Sequence, residues 1–195
     1  MKNKSFFSHR FLKGGMAAFL LFPLLSCGFF DYNHRITGIS PAISGRVSFY
    51  DFSEGEKGAL LGRSTISKNA FKVLFEINTD IVIAVLEDFV VFDYVNNETL
   101  TASNGTVWES IILDPYQGNN YNINSLTTWA AVLAKYYIQS DGFNNIEELK
   151  GLVSDANKII SNHFGGFNIT SLEPSQLDVP STRFTDSMKY AMNLT

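Results

Sequence analysis

The chain has a single cysteine, Cys27, among its 195 residues. A disulfide needs two cysteines, so no bridge can form within the chain and the fold depends on its apolar core. The composition permits such a core, since 45% of the residues are hydrophobic and 14% are aromatic. A chain this apolar is not disordered, and a domain of about 150 residues buries ~70% of its unfolded surface. We therefore predict one compact folded unit without disulfides.

Basic side chains are also few. The chain has 15 Lys and Arg residues against 19 Asp and Glu residues. Four of the basic residues lie in residues 1–26, which contain no acidic residue, so residues 27–195 carry a net charge of −8. Binding to nucleic acid depends on basic side chains that neutralise phosphates. The charge balance therefore argues against a nucleic-acid partner.

The motifs of common enzyme classes are missing as well. Beyond residue 26 the histidines are His34 and His163, and neither has the His-x-x-Glu or His-Glu-x-x-His spacing of zinc peptidases. No Gly-x-Ser-x-Gly elbow, phosphate-binding loop or dinucleotide fingerprint occurs. His163 is predicted in the last turn of a helix, where the helix dipole favours an imidazolium. The sequence thus predicts a protein that is not an enzyme and has no cofactor.

The most informative segment that is present is the N-terminus. Basic residues precede an apolar run over residues 16–25, and the run ends at Leu24-Leu25-Ser26-Cys27. This arrangement resembles the lipobox of bacterial lipoproteins, in which the cysteine is alkylated by diacylglycerol, the chain is cut before it, and the new amine is acylated. The resemblance implies a signal peptide at residues 1–26, cleavage between Ser26 and Cys27, and a mature protein held at the cell envelope by lipid on Cys27. Gly28, rather than Asp, follows the cysteine, which implies the outer membrane in a cell that has one.

Two other interpretations of the N-terminus are open. Residues 14–30 are apolar enough for a signal anchor, although a membrane-spanning helix needs ~20 apolar residues and this run contains Pro23 and ends at Asp31. The segment is also compatible with an ordinary signal peptide that leaves a free thiol, which is unusual in an exported protein. Lipidation would consume the thiol, and several acyl chains would give the stable anchoring that one chain does not.

Apolar residues alternate with polar ones over residues 43–113, which predicts a β-domain. Residues 27–42 show no sustained period, contain Gly38 and Pro41, and are predicted to be a tether. Residues 81–86 are apolar on both faces, as in a strand covered on both sides. The predicted strands lie near residues 43–52, 60–66, 71–77, 81–86, 89–95 and 107–113. This spacing predicts an antiparallel β-sandwich of about six to seven strands in residues 43–122.

From residue 124 the apolar period becomes helical. The predicted apolar face of the first helix consists of Leu126, Trp129, Ala130, Leu133 and Tyr137. Asn145 and Glu148 predict the start of a second helix that stops at residues 165–166. Ser181 opens a third helical pattern that still continues at residue 195, which indicates either a truncated chain or a frayed terminus. The predicted fold class is therefore α+β, with the sandwich followed by a helical segment of two or three helices at residues 123–195.

Two stretches resemble the transthyretin-like, carboxypeptidase-regulatory-like β-domains of large bacterial surface proteins and lipoproteins. Gly45-Arg46-Val47 is similar to their Gly-x-Val strand, and Leu126-Thr127-Thr128-Trp129-Ala130 is similar to the Leu-Thr-Thr-Leu-Ala helix start that follows such domains. The chain departs from the pattern at Ser125 and Trp129, where the family has proline and leucine. The resemblance implies an extracytoplasmic, non-catalytic, modular scaffold.

One loop suggests a ligand. Tyr116 and Tyr121 flank Gln117-Gly118-Asn119-Asn120, and Trp108 lies nearby in sequence. Aromatic and amide side chains on a loop are suited to stacking on sugar rings, so these three residues are candidates for binding a glycan. The plainer interpretation is that the loop links the sandwich to the helix and that its tyrosines pack at the joint.

Acidic residues crowd the turn that contains Asp51, Glu54 and Glu56, and oxygen-rich loops of this kind can hold Ca²⁺. The spacing does not match the twelve-residue calcium loop, so a solvated acidic turn is the default. A similar weak cluster lies at residues 93–98. The sequence as a whole predicts a lipid-anchored envelope protein that acts as a structural or adhesive module, with the membrane and a surface protein or glycan as partners.

Overall fold

A computed structural model describes residues 33–76, 79–93, 96–116 and 119–172 of the chain. In these residues eight β-strands precede two α-helices, an α+β architecture as the sequence predicts. The strands are β1 Asn33–Ile39, β2 Ala42–Asp51, β3 Leu60–Ser67, β4 Ala70–Glu76, β5 Ile81–Asp93, β6 Glu98–Thr101, β7 Trp108–Leu113 and β8 Asn120–Asn122. The helices are α1 Ser125–Asp141 and α2 Ile146–His163. The helical pattern predicted from Ser181 lies outside the described residues.

The described strands form one mixed sheet in the order β6-β5-β2-β3-β4-β1-β8. The 13-residue strand β5 pairs with β7 along its N-terminal half and with β6 along its C-terminal end. All pairs are antiparallel except β1 with β8. Between β3 and β4 the ladder consists of the single pair Ser67 and Ala70, at the hairpin turn. The sheet therefore has two well-paired parts, one around β5 and β2 and the other around β1 and β4.

Strand β5 is covered on both faces, which confirms the prediction from its continuous apolar run. Val82, Ala84 and Leu86 pack in a core with buried residues of β1, β2, β3, β4, β7 and β8. The alternate side chains of β5, including Ile83, pack in a second core with buried residues of both helices. Burial on both faces removes the polar alternation that a half-exposed strand would show.

The sequence predicts two strands at residues 81–86 and 89–95, whereas β5 runs without a break over Ile81–Asp93. The pairing of β2 with β5 shifts register between Ala42 and Arg46. Asp88 has φ 51° there, so the polar residues 87–88 between the two predicted strands mark a bulge and not a turn. The short strands β6 and β8 are absent from the prediction. The first is exposed at all four residues and the second has three residues, so neither has a detectable apolar period.

The predicted tether at residues 27–42 is corrected for residues 33–39, which form β1. This strand pairs with β4 over seven residue pairs and with β8 over three, and Ile36 is fully buried. Gly38 has a structural reason, since a Cβ at this position would collide with the Phe71 ring and the Tyr121 carbonyl. A glycine that signals a flexible spacer in the sequence here permits close packing between strands.

Both helix starts are confirmed. The Asn124 side chain accepts hydrogen bonds from the backbone N–H groups of Leu126 and Thr127, and Asn145 caps α2 through the N–H of Glu148. The predicted apolar face of α1 is wrong for Trp129, which is 53% exposed, because α1 turns its alanines toward the sheet. No helix in the described part of the chain is long and apolar enough to cross a membrane.

Candidate functional site

The joint between the sheet and α1 is built by two threonines. Thr127 Oγ1 donates to the Glu109 carbonyl oxygen at 2.8 Å, and the Glu109 N–H donates to Thr128 Oγ1 at 2.9 Å. The helix start thereby occupies the outward-facing backbone groups of one residue of β7. The Lys135 ammonium adds an ion pair to the Glu109 carboxylate at 2.6 Å. The Leu-Thr-Thr segment is therefore a docking element that fixes α1 against β7.

A second joint holds α2 against the loops at the other end of β7. Lys150 Nζ lies 2.7 Å from an Asp114 oxygen, 3.3 Å from Asp80 and 3.4 Å from Glu147. The hydrogen bond that Lys150 donates to Asp114 raises the pKa of the Lys150 ammonium above its usual value, partial burial opposes this, and the bonds to Asp80 and Glu147 raise it further. The lysine therefore stays charged and is enclosed by carboxylates of two loops and its own helix.

A groove of about 470 Å³ lies between α2, the C-terminal part of β7 and the segment that follows α2. From α2 it is lined by polar side chains, namely Ser154, Asn157, Lys158, Ser161 and Asn162. From the sheet it is lined by residues 111–113 and Tyr121, and from the following segment by Asn168, Ile169 and Thr170. The lining combines amides, hydroxyls and one ammonium with an apolar strip from the sheet. It is suited to a polar chain that carries alternating donors and acceptors.

The wall formed by the segment after α2 is held in place by Asn122 of β8. The Asn122 N–H donates to the Thr170 carbonyl at 2.9 Å, and its side-chain amide donates to the carbonyls of Ile169 at 3.1 Å and Leu172 at 2.7 Å. Phe167 and Ile169 are buried against α1. The groove therefore has walls fixed by buried side chains and backbone hydrogen bonds.

The three aromatic residues proposed as a sugar platform differ in exposure. Tyr121 is 7% exposed and belongs to the sheet core, with its hydroxyl 3.4 Å from the Asn119 side-chain amide. The Trp108 ring packs on Phe89 with ring centroids 4.4 Å apart. Tyr116 is 54% exposed. Trp108 begins β7 and Tyr116 follows its other end, so the strand separates them by ~17 Å.

The acidic turn is organised by hydrogen bonds within the protein. Asp51 Oδ1 accepts from the Ser53 N–H at 3.0 Å, the Ser53 hydroxyl at 2.7 Å and the Thr79 hydroxyl at 2.6 Å. Burial raises the pKa of the Asp51 carboxyl, but the bonds from Thr79 and Ser53 outweigh it and leave the pKa below its usual value. Glu54 and Glu56 are exposed. Across the described ranges, no cluster of three or more His, Cys, Asp or Glu side chains is placed to hold a metal ion.

The remaining candidate residues take part in the fold itself or lie outside the described residues. Asp93 accepts hydrogen bonds from the backbone and side chain of Asn96, which closes the turn before β6. His163 lies in the last turn of α2 with its ring 5.0 Å from that of Phe164. His34 lies on β1 opposite Phe75. Ser26 and Cys27 lie outside the described residues.

The groove is a feature that the sequence does not predict. Its α2 residues recur at intervals of three or four, which places them on one helical face away from the buried Leu149 and Val153. A polar face of this kind is typical of a solvated helix, so the pattern carries no signal of a site. Sheet residues 111–113 come from a different part of the chain and meet α2 through folding alone. No protein-family model, curated protein or solved structure matches this chain.

Proposed function

We propose that the protein is a lipid-anchored module of the cell envelope that acts as a structural or adhesive element and not as a catalyst. The observation that carries the proposal is the sequence Leu24-Leu25-Ser26-Cys27 after a basic and apolar N-terminus. The net charge of −8 beyond residue 26 supports a role away from nucleic acid. The polar groups that hold the joints, such as Thr127 and Lys150, are engaged in building the fold.

The start of β1 bears on how such a module would be held. Five residues, 28–32, separate Cys27 from Asn33, the first residue of β1, so the two are six chain steps apart. A fully extended chain advances at most ~3.6 Å per residue, so the anchor and the sheet would be at most ~22 Å apart. A lipid on Cys27 would therefore keep the β-domain close to the bilayer surface, which suits a protein that acts on other envelope components.

We further propose that the two parts of the sheet are the two layers of a sandwich of the transthyretin-like type. The near-absence of a ladder between β3 and β4 supports a division at that hairpin. The shared core supports it too, because Phe49 of β2 packs on Phe71 of β4 with ring centroids 5.8 Å apart. Side chains from two facing layers interdigitate in this way in sandwiches.

The anchor is tested by the intact mass of the protein extracted from its native membrane. The expected mass is that of residues 27–195 plus three acyl chains. The variant Cys27→Ala is expected to lose the lipid and remain uncleaved, whereas the matched control Ser26→Ala keeps a small residue before the cysteine and is expected to be lipidated. A wild-type mass without lipid would overturn the proposal.

Glycan binding is the second candidate, and one observation favours it: the exposed ring of Tyr116 in the loop between β7 and β8. The buried Tyr121 and the stacked Trp108 leave Tyr116 as the accessible aromatic of the three. Stacking on a sugar by this ring predicts that Tyr116→Ala abolishes binding on a glycan array while Tyr136→Ala, at an exposed position on α1, does not. Equal binding by both variants would eliminate this site.

A further inference from the structure

The outer edge of β7 has two different environments. Because Glu109 uses its N–H and C=O for Thr127 and Thr128, its backbone groups face away from β5. Backbone direction alternates along a strand, so the N–H and C=O groups of Ile111 and Leu113 also face away from β5. The hydrogen bond from the Phe52 N–H to the Ile81 carbonyl supports this orientation of β7. It shows that the backbone groups of the odd-numbered residues of β5 face β2, so those of the even-numbered residues face β7.

These outward-facing groups meet the groove beside α2. Ile111 and Leu113 both line it, and Ile111 is 4% exposed. Within the part of the chain that the structure describes, no hydrogen bond reaches the outward N–H or C=O of either residue. Buried backbone groups in proteins are almost always paired with protein or solvent. The groove therefore contains a short stretch of strand edge whose ladder is incomplete.

We propose that this edge is a strand-addition site, where an extended peptide of a partner protein pairs with Ile111 and Leu113. The two residues are ~7 Å apart along β7, which is the spacing of successive outward-facing residues in an antiparallel ladder. Each offers one donor and one acceptor, so a peptide can form up to four backbone hydrogen bonds. Main-chain pairing of this kind supplies affinity, and pockets for alternate side chains supply specificity.

The site is bounded at both ends and has a charge preference. Toward the start of β7 the helix α1 blocks the edge at Glu109, and β7 itself ends at Leu113. The occupant therefore pairs through three to four residues. Among the described residues that line the groove, Lys158 is the charged one, so a peptide with an acidic side chain in this stretch is favoured.

The continuation of this chain after Leu172 is the competing occupant. Pro174 and Pro180 lack the N–H that a ladder strand donates, but residues 175–179 and 181–195 contain no proline. The inference adds a binding site to the proposed envelope module and does not depend on its lipid anchor. Removal of residues 173–195 separates the two occupants experimentally.

The test is amide hydrogen exchange, followed residue by residue in the purified full chain. The Ile112 N–H is bonded to β5 and is the internal control. We expect the Ile111 and Leu113 amides to exchange at least ~100-fold faster than that of Ile112 in the free protein. The probe is the acetylated and amidated peptide Val-Thr-Asp-Thr-Val at 1 mM, and we expect it to slow both amides by about tenfold, as RT ln(1 + [L]/Kd) implies for a Kd near 0.1 mM.

Matched controls separate backbone pairing from general adhesion. The same peptide with alternate amides N-methylated is expected to give no protection. Lys158→Glu is expected to lower the affinity for the unmodified peptide by about tenfold. Lys72→Glu, at an exposed position on β4, is expected to leave its affinity unchanged. No slowing by the peptide at 1 mM overturns the proposal. Amides that are protected in the free full chain and become unprotected on removal of residues 173–195 also overturn it, in favour of the chain's own segment.

Discussion

The hydroxyl of Thr127 offers a sharp test of how the helices are attached to the sheet. Thr127 is 1% exposed, and its Oγ1 donates to the Glu109 carbonyl and accepts from the Asn124 N–H at 3.0 Å. Thr127→Val removes both bonds and nearly preserves the shape of the side chain, so little cavity forms. Threonine and valine have similar helix propensities, so the effect isolates the hydrogen bonds.

The magnitude follows from the burial of the groups involved. A hydrogen bond contributes about 1 kcal/mol net, and a buried group that loses its partner costs about 1–3 kcal/mol. For the two bonds together we expect Thr127→Val to lower the free energy of unfolding by about 2–4 kcal/mol. With a urea m-value of about 2 kcal/mol per M, the midpoint falls by about 1–2 M.

Urea unfolding monitored by tryptophan fluorescence measures this loss. Trp108 packs on Phe89 in the sheet core, and the ring centroids of Trp129 and Phe164 are 5.3 Å apart. Tryptophan fluorescence therefore reports on both the sheet and the helices. The same change at an exposed strand position, Thr65→Val, is the control and is expected to stay within about 0.5 kcal/mol of the wild type. An equal result for both variants would refute the assignment of Thr127 as the residue that docks α1.

Four further predictions concern packing and charge. Gly45→Ala places a Cβ 2.8 Å from Phe89 Cβ and is expected to lower the free energy of unfolding by about 1–3 kcal/mol. Gly151→Ala, on an exposed turn of α2 with open space around it, is expected to raise the free energy of unfolding by about 0.5–1 kcal/mol. Urea titrations in which Gly45→Ala is more stable than Gly151→Ala would contradict this account of the two glycines. Lys150→Met is expected to lower the melting temperature in dilute buffer and to do so less at 1 M NaCl, because salt screens its three ion pairs. The pKa of Asp51 is lower in the folded state, so this carboxylate stabilises the fold above about pH 4 and the contribution is lost as the pH falls further. The stability difference between the wild type and Asp51→Asn should therefore shrink as the pH is lowered below about 4, and a difference that stays constant on acidification would contradict this account.

Helix boundaries and the central strand were predictable because their signals are local. Asn124 and Asn145 cap helices through their own side chains, within three residues of the backbone groups that they bind. The apolar run of β5 predicts burial on both faces, which holds wherever the covering elements come from. The face of α1 was less predictable, since Trp129 is apolar yet exposed and Thr127 is polar yet buried.

Strand β1 shows why other elements were missed. Its sequence has no sustained period, and its glycine is explained by the carbonyl of Tyr121, more than 80 residues away. Strand β8 has three residues and is recognisable only by its parallel pairing with β1. Pairing partners that are distant in sequence leave no pattern in the strand itself, so propensity alone cannot find such elements.

Residues close in sequence determine the α+β class, both helix caps and the doubly covered strand, and they predict a lipidation segment at Cys27. The role of each polar residue, in contrast, is determined by contacts with residues that are distant in sequence. Thr127 becomes a docking group because β7 lies against α1, and Asp51 closes a turn because Thr79 reaches it. The groove forms because α2, β7 and the segment after α2 converge. Local signals suffice where a residue acts on its own helix or strand, whereas a binding surface is composed of segments that only the folded chain brings together.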